Sequence, residues 1–254
     1  KYLDTTPFDV INPSDYYGTE AEIKSAMAGI YSSLAQDGTY GRNIPVELEM
    51  GNDEGQYTNR NNNNSLPSLY DCQASTKIYS DCWSALYRGI NAANLLIANI
   101  ETSKVTDSIK NTYRAEATFL RAFNYFQLVT RFGDVPLIIK PTTQVTNPNY
   151  PRTPSIIVYD QIIKDMKAAE PFVKDITTIG NGSRISKTAI QGIIARVYLK
   201  MAGRPLNLGT PMYDSARFWV KKVVNSGIHS LNPNYRQIFI NLSSDKYDFR
   251  ETMW

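Results

Sequence analysis

Apolar residues recur along this chain at spacings of three and four, in blocks separated by polar, Pro- and Gly-rich stretches. Such spacing marks one face of an α-helix. The first block predicts a helix over about Glu20 to Leu34, capped by Thr19 or Asp15, with Ile23, Met27, Ile30 and Leu34 on one face. The second runs from about Thr76 to Glu101, where Tyr79, Trp83, Leu86, Ile90, Ala93, Ile97 and Ile100 form a seam. The third is entered from Thr106-Asp107 and carries Tyr113, Ala117, Phe119, Leu120, Phe123, Phe126, Leu128 and Val129. That stripe is too wide for one exposed face, so this helix is expected to be buried on two sides. Gly133 can take the positive φ that ends it, and Pro136 prevents it from continuing.

After a Pro/Thr/Asn-rich connector, Pro141 to Pro154, a fourth helix presents Tyr159, Ile162, Ile163, Met166 and Ala169 and ends at Pro171. Gly180-Asn181-Gly182 is a turn. Ser186 caps a fifth helix with Ile190, Ile193, Ile194, Val197, Tyr198 and Met201 inward, stopped by Gly203 and Pro205. A sixth, about Met212 to Ser226, is expected to turn Ala216, Val220, Val223 and Val224 inward. The opening, Tyr2 to Tyr16, reads as an extended arm; Tyr235 to Phe239 and Tyr247 to Trp254 read as loop and short extended pieces. Small residues at Gly89, Ala93, Gly192, Ala195 and Ala216 suit close helix approach. The predicted fold is therefore mainly α, with stacked helical hairpins of tetratricopeptide (TPR)-like character, long loop insertions and little strand. It is read as one domain over 1–254, with a loop-rich insertion over 36–74.

The insertion contains Asn52 to Ser65, NDEGQYTNRNNNNS, which cannot build a core by itself. Long loops inside compact domains are uncommon and often functional. This one offers what a non-catalytic sugar site needs. Planar side chains cover the apolar face of a pyranose ring, and Asp, Asn and Arg bond adjacent hydroxyls. The candidates are Asn52, Asp53, Tyr57, Arg60, Asn61, Tyr70 and Tyr79. Tyr79 also fits the seam of the second helix, and Trp83 is read as seam.

Carboxylates at Glu47, Glu49, Asp53 and Glu54 admit three readings: a solvated acidic loop, a calcium loop without EF-hand spacing, or a hydrolase pair. The sequence holds no Gly-rich phosphate loop, HExxH or nucleophile elbow. Neither catalysis nor a cofactor is expected.

Composition narrows the field further. Of 254 residues, 42% are hydrophobic and 20% charged, which suits a folded chain rather than a disordered one. A net charge of +3, with scattered Lys and Arg, gives no nucleic-acid groove. The 17 tyrosines suit both helix seams and ligand platforms. Cys72 and Cys82 admit a disulfide or two packed thiols. With the single His229 they are too few for a zinc site of usual spacing.

Several segments resemble, in order, the SusD/RagB family of outer-membrane nutrient-binding lipoproteins from Bacteroidetes. They are Leu3-Asp4-x-x-Pro7, Trp83 to Ile100, and Arg114-Ala115-Glu116-Ala117 through Phe132-Gly133-Asp134-Val135-Pro136-Leu137. Arg152-Thr153-Pro154, Ser186-Lys187-Thr188-Ala189 through Leu199, and Ala216 to Gly227 continue the match. The resemblance implies a surface-exposed outer-membrane protein that captures glycan for a SusC-like TonB-dependent transporter, with membrane attachment only through a lipid anchor absent from this chain. It also implies that this chain is an N-terminal portion lacking the family's C-terminal half. The alternative is a TPR-like scaffold that binds a peptide or protein partner.

Overall fold

The computed structural model describes residues 16–48, 70, 73–142 and 149–254. Among them the elements are α1 (Glu20–Ala35), a π-helical turn (Asn43–Leu48), α2 (Lys77–Asn99) with a 3-10 turn (Ile100–Thr102), and α3 (Asp107–Phe132). Then come α4 (Ser155–Ala169), α5 (Ile176–Ile179), α6 (Lys187–Ala202), α7 (Thr210–Asn225) and α8 (Tyr235–Ser243). The described residues contain no strand beyond an isolated antiparallel bridge between Val135 and Thr153. The chain forms two compact units, Lys1–Ala117 with Ile138–Thr146, and Thr118–Leu137 with Asn147–Trp254. The predicted arm apart from Tyr16, and residues 49–69, 71 and 72 of the insertion, lie outside the described residues.

In the first unit α1 packs along α2. Thr19 starts α1 with a capping box: its hydroxyl accepts from Glu22 N, and the Glu22 carboxylate accepts from Thr19 N at 2.7 Å. Those bonds hold the exposed Glu22 carboxyl below its ordinary pKa. Ile23, Met27 and Ile30 are buried as predicted, with Ser33 completing the stripe and Leu34 half-buried. On α2 the predicted Leu86, Ile90 and Ala93 are buried, as is Ile100 just beyond the helix, joined by Ile78, Cys82, Ala85, Gly89 and Leu96, while Tyr79, Trp83 and Ile97 are only half-buried. Bulky aromatics sit better at the margin of a tight helix pair than at its centre. Trp83 instead pairs with Tyr87, ring centroids 5.0 Å apart. The buried Asn94 carboxamide donates to the Ile138 and Lys140 carbonyls at 2.9 and 3.2 Å, tying that strand-like segment to α2.

In the second unit α4 packs against α6, and α6 against α7. Gly133, with φ 68°, ends α3 as expected. Asp134 then supplies the N-terminal acceptor that Pro154 cannot, taking a bond from Ser155 N at 2.7 Å. The Phe132-Gly133-Asp134-Val135-Pro136 wording is thus a helix stop joined to the cap of the next long helix. Ser186 caps α6 by accepting from Ala189 N. Arg121 Nε meets Asp165 Oδ2 at 2.8 Å, with both side chains buried, and Gln161 donates to the other carboxylate oxygen at 2.7 Å.

Two predicted features are corrected in this unit. On α7 the inward residues are Ala216 and Trp219, with Val223 half-buried, whereas Val220 and Val224 are exposed. The large indole of Trp219 takes the buried position and rotates the valines outward. The stretch from Tyr235 is a helix rather than a loop. Asn234 caps it by accepting from Arg236 N, and Tyr235 packs on Phe239 one turn on.

Candidate functional site

The described start of the insertion and the first turns of α2 enclose a cleft of about 450 Å³ in the first unit. One wall is the turn after α1. The buried Thr39 hydroxyl donates to the Ser33 carbonyl at 2.7 Å, and Tyr40 N donates to the Leu34 carbonyl. These bonds satisfy carbonyls that the end of α1 leaves orphaned. Asn43 N donates to the Asp37 carbonyl at 2.8 Å, and Ile44 is fully buried, so the turn is fastened at both ends. Gly38 allows it to approach α2. A Cβ there would lie 2.7 Å from the Asp81 carbonyl oxygen and 3.1 Å from the Ala85 Cβ.

The other wall is a polar stripe on α2, Lys77, Asp81, Ser84 and Arg88, spaced four, three and four. That spacing puts all four on one helix face. Lys77 Nζ bonds both Asp81 carboxylate oxygens at 2.7 and 2.6 Å, an exposed pair that adds little stability. Asp37 and Arg88 make no ion pair or side-chain hydrogen bond among the described residues and stay available. With Arg42 and Asn43, also in the lining, the cleft offers guanidinium and carboxamide donors beside a carboxylate acceptor. Such a set matches the alternating donors and acceptors of vicinal hydroxyls.

Of the sequence candidates, Asn52, Asp53, Tyr57, Arg60 and Asn61 lie outside the described residues, as does Cys72. The acidic cluster, Glu47 apart, lies there as well. The Cys72–Cys82 question therefore falls outside the described residues, though Cys82 itself is fully buried. Tyr70 is described: it is 79% exposed, with φ 57°. Tyr79 is half-buried in the row it forms with Trp83 and Tyr87. Neither lines the cleft. Two positions along a helix turn a side chain by about 200°, which carries Tyr79 away from the face of Lys77. The sequence reading missed Asp37, Arg42, Asn43, Lys77, Asp81 and Arg88. For Lys77, Asp81 and Arg88 the signal was the polar stripe opposite the α2 seam, which reads equally well as a solvated face; Asp37, Arg42 and Asn43 lie in the turn after α1 and carry no periodic signal. No helix among the described residues is long and apolar enough to cross a membrane.

Comparison with known proteins gives the family. A family model for SusD-like proteins, described as starch-binding and associating with the outer membrane, matches residues 1–199. SusD-like protein P25 of Formosa agariphila is 24% identical over 251 residues, covering 94% of this chain and 45% of the relative. A crystal structure of a SusD homologue from Bacteroides thetaiotaomicron is 28% identical with a TM-score of 0.84, covering 93% of this chain and 46% of that one. A crystal structure with xylogluco-oligosaccharide is 26% identical with a TM-score of 0.75, covering 91% and 46%. The chain thus spans about half the length of the relatives it matches. With the family model covering most of its length and the all-helical fold shared, this chain belongs to the SusD-like carbohydrate-binding family associated with the outer membrane.

Proposed function

We propose that this protein captures oligosaccharide or polysaccharide at the cell surface without cleaving it. It passes the glycan to a SusC-like TonB-dependent transporter of the outer membrane. The observation that carries the reading is the cleft at the foot of the insertion, with Asp37 and Arg88 uncommitted among the described residues and Asn43 and Arg42 beside them. The guanidinium and carboxylate can serve adjacent sugar hydroxyls with only their side chains to order, because the backbones of the turn and α2 are already held. The insertion residues Asn52, Asp53, Tyr57, Arg60, Asn61 and Tyr70 are read as further contacts to the same glycan, the tyrosines as platforms for ring faces, whereas Tyr79 belongs to another face of α2 and is no part of the cleft. A related fold with bound xylogluco-oligosaccharide supports the ligand class.

Affinity electrophoresis of the full-length protein through gels with and without xyloglucan or starch tests the capture. Retardation by one polysaccharide, reduced by Tyr57→Ala and Arg60→Ala at unchanged melting temperature, is expected. Chromatography of the same polysaccharide after prolonged incubation should release no fragments. A product ladder would replace capture with hydrolysis.

A further inference from the structure

The second unit holds a separate cavity of about 580 Å³, within the size range of small-ligand sites. Its walls are the turn at Asn181, the helix α8 and the segment that follows it. Each wall is anchored. The end of α8 closes as a Schellman motif: Lys246 N donates to the Asn241 carbonyl at 2.8 Å, and Asp245 N to the Leu242 carbonyl, with Asp245 at φ 54°. That motif aims Lys246 and Tyr247 at the cavity. Beyond it, Ser230 N donates to the Arg250 carbonyl, and His229 Nδ1 lies 3.0 Å from the Phe249 carbonyl. Trp254 sets its ring edge-on to Phe119 and Phe123 at 5.6 and 5.0 Å. Gly182 lies close against this segment: a Cβ there would sit 3.3 Å from the Thr252 Cγ2.

The lining has a consistent chemistry. Asn181 Oδ1 accepts from Ser183 N, Asn232 Oδ1 from Asn234 N, and Asn241 Oδ1 from Gln237 Nε2. For the first two, a backbone donor fixes which amide atom is oxygen. The Asn181 and Asn232 NH2 groups are therefore left as donors with no protein acceptor among the described residues, and Asn241 keeps one amide atom without a protein partner there. Lys246 Nζ likewise makes no ion pair among them. Glu251 accepts from Asn232 N at 2.8 Å on one oxygen and keeps the other spare, whereas Asp248 accepts from Arg250 N at 2.8 Å on one oxygen and meets the Arg250 guanidinium at 3.4 Å on the other, bonds that hold its carboxyl below the ordinary range. Tyr247 is 59% exposed and adds a flat ring beside Ile238 and Leu242. Lys246 and Arg250 offset Asp248 and Glu251, so the local charge cancels. A cavity with an aromatic face, amide donors, a spare Glu251 oxygen and, with Arg250 pairing Asp248 from outside the lining, no net charge fits a neutral sugar better than an acidic one.

We infer that this cavity is a second saccharide subsite, specific for a short neutral oligosaccharide and independent of the cleft on α2. The inference rests on the proposed glycan capture. Calorimetric titration of the full-length protein tests it with xyloglucan heptasaccharide, maltohexaose and trigalacturonate as probes. The wild type should take two equivalents of one neutral probe. An Asp37→Ala/Arg88→Ala variant, with the cleft disabled, should take one. Adding Tyr247→Ala or Asn241→Ala to that variant should weaken the remaining event at least tenfold, at unchanged melting temperature. Residual binding that ignores both added substitutions, or a variant that binds nothing once the cleft is disabled, overturns the second subsite and leaves the cleft standing. Preference for trigalacturonate at the residual site overturns its neutral specificity. Failure of the wild type to bind any of the three removes both readings together.

Discussion

Replacing Gly38 with alanine tests whether the turn behind the cleft is held in fixed contact with α2. Gly38 needs no special φ, so the whole effect of a methyl is steric. The new Cβ would sit 2.7 Å from the Asp81 carbonyl oxygen, whereas ordinary contact begins near 3.4 Å. The obstacle is helix backbone, which cannot swing aside as a flexible side chain would. Either the turn or α2 has to move by several tenths of an ångström. Overpacking of this kind costs about 1–3 kcal/mol. For a domain of this size each kcal/mol lowers the melting temperature by about 2–4 °C, so a fall of roughly 2–12 °C is expected by calorimetry. Asn43 N is bonded to the Asp37 carbonyl, so the shift passes to the cleft wall, and oligosaccharide affinity should fall with stability. Gly29 is the control. It lies in α1 with nothing within 4 Å of an added methyl, so Gly29→Ala should stabilise by about 0.5–1 kcal/mol through helix propensity. An unchanged or raised melting temperature for Gly38→Ala would refute the close approach on which the cleft is built.

Two further outcomes follow from the second unit. Asp165→Leu removes the carboxylate that Arg121 Nε meets and should cost about 3–5 kcal/mol in denaturant unfolding, whereas Arg121→Met/Asp165→Leu should recover most of it; a double-variant loss equal to the sum of the two single losses would mean the pair is not coupled. Burial pushes the Tyr159 hydroxyl up to about 12 from 10.0, so the fold holds its proton where the unfolded chain loses it. Stability should therefore be level below pH 10 and fall by on the order of 3 kcal/mol as pH rises towards 12. Tyr159→Phe should flatten that slope, and an unaltered slope would place the alkaline loss elsewhere.

The helical scaffold was legible because burial imposes its period on sequence. The stripe of α3, its stop at Gly133 and the Ser186 cap of α6 each rest on one local cause: apolar spacing, a left-handed glycine and a hydroxyl acceptor. The misreadings have equally local causes. On α2 the aromatic row Tyr79, Trp83 and Tyr87 runs beside the true seam, and large rings outweighed the small residues that pack at its centre. On α7 one tryptophan outranked two valines. The helix at Tyr235 buries no residue, so no seam announced it. The cleft was hidden for another reason. Lys77, Asp81, Ser84 and Arg88 obey helical spacing, but polar spacing looks the same whether it faces solvent or a ligand. What distinguishes them is the turn brought opposite by Gly38 and the Thr39 hydroxyl, a tertiary arrangement that no periodicity carries.

The central claim is that the available charges of the α2 cleft hold sugar. Calorimetric titration of xyloglucan heptasaccharide or maltohexaose into the full-length protein and its Arg88→Ala variant measures it directly. At least tenfold weaker binding at the cleft, with the melting temperature unmoved, is the predicted result. Equal affinity in the two proteins would contradict the assignment of that cleft.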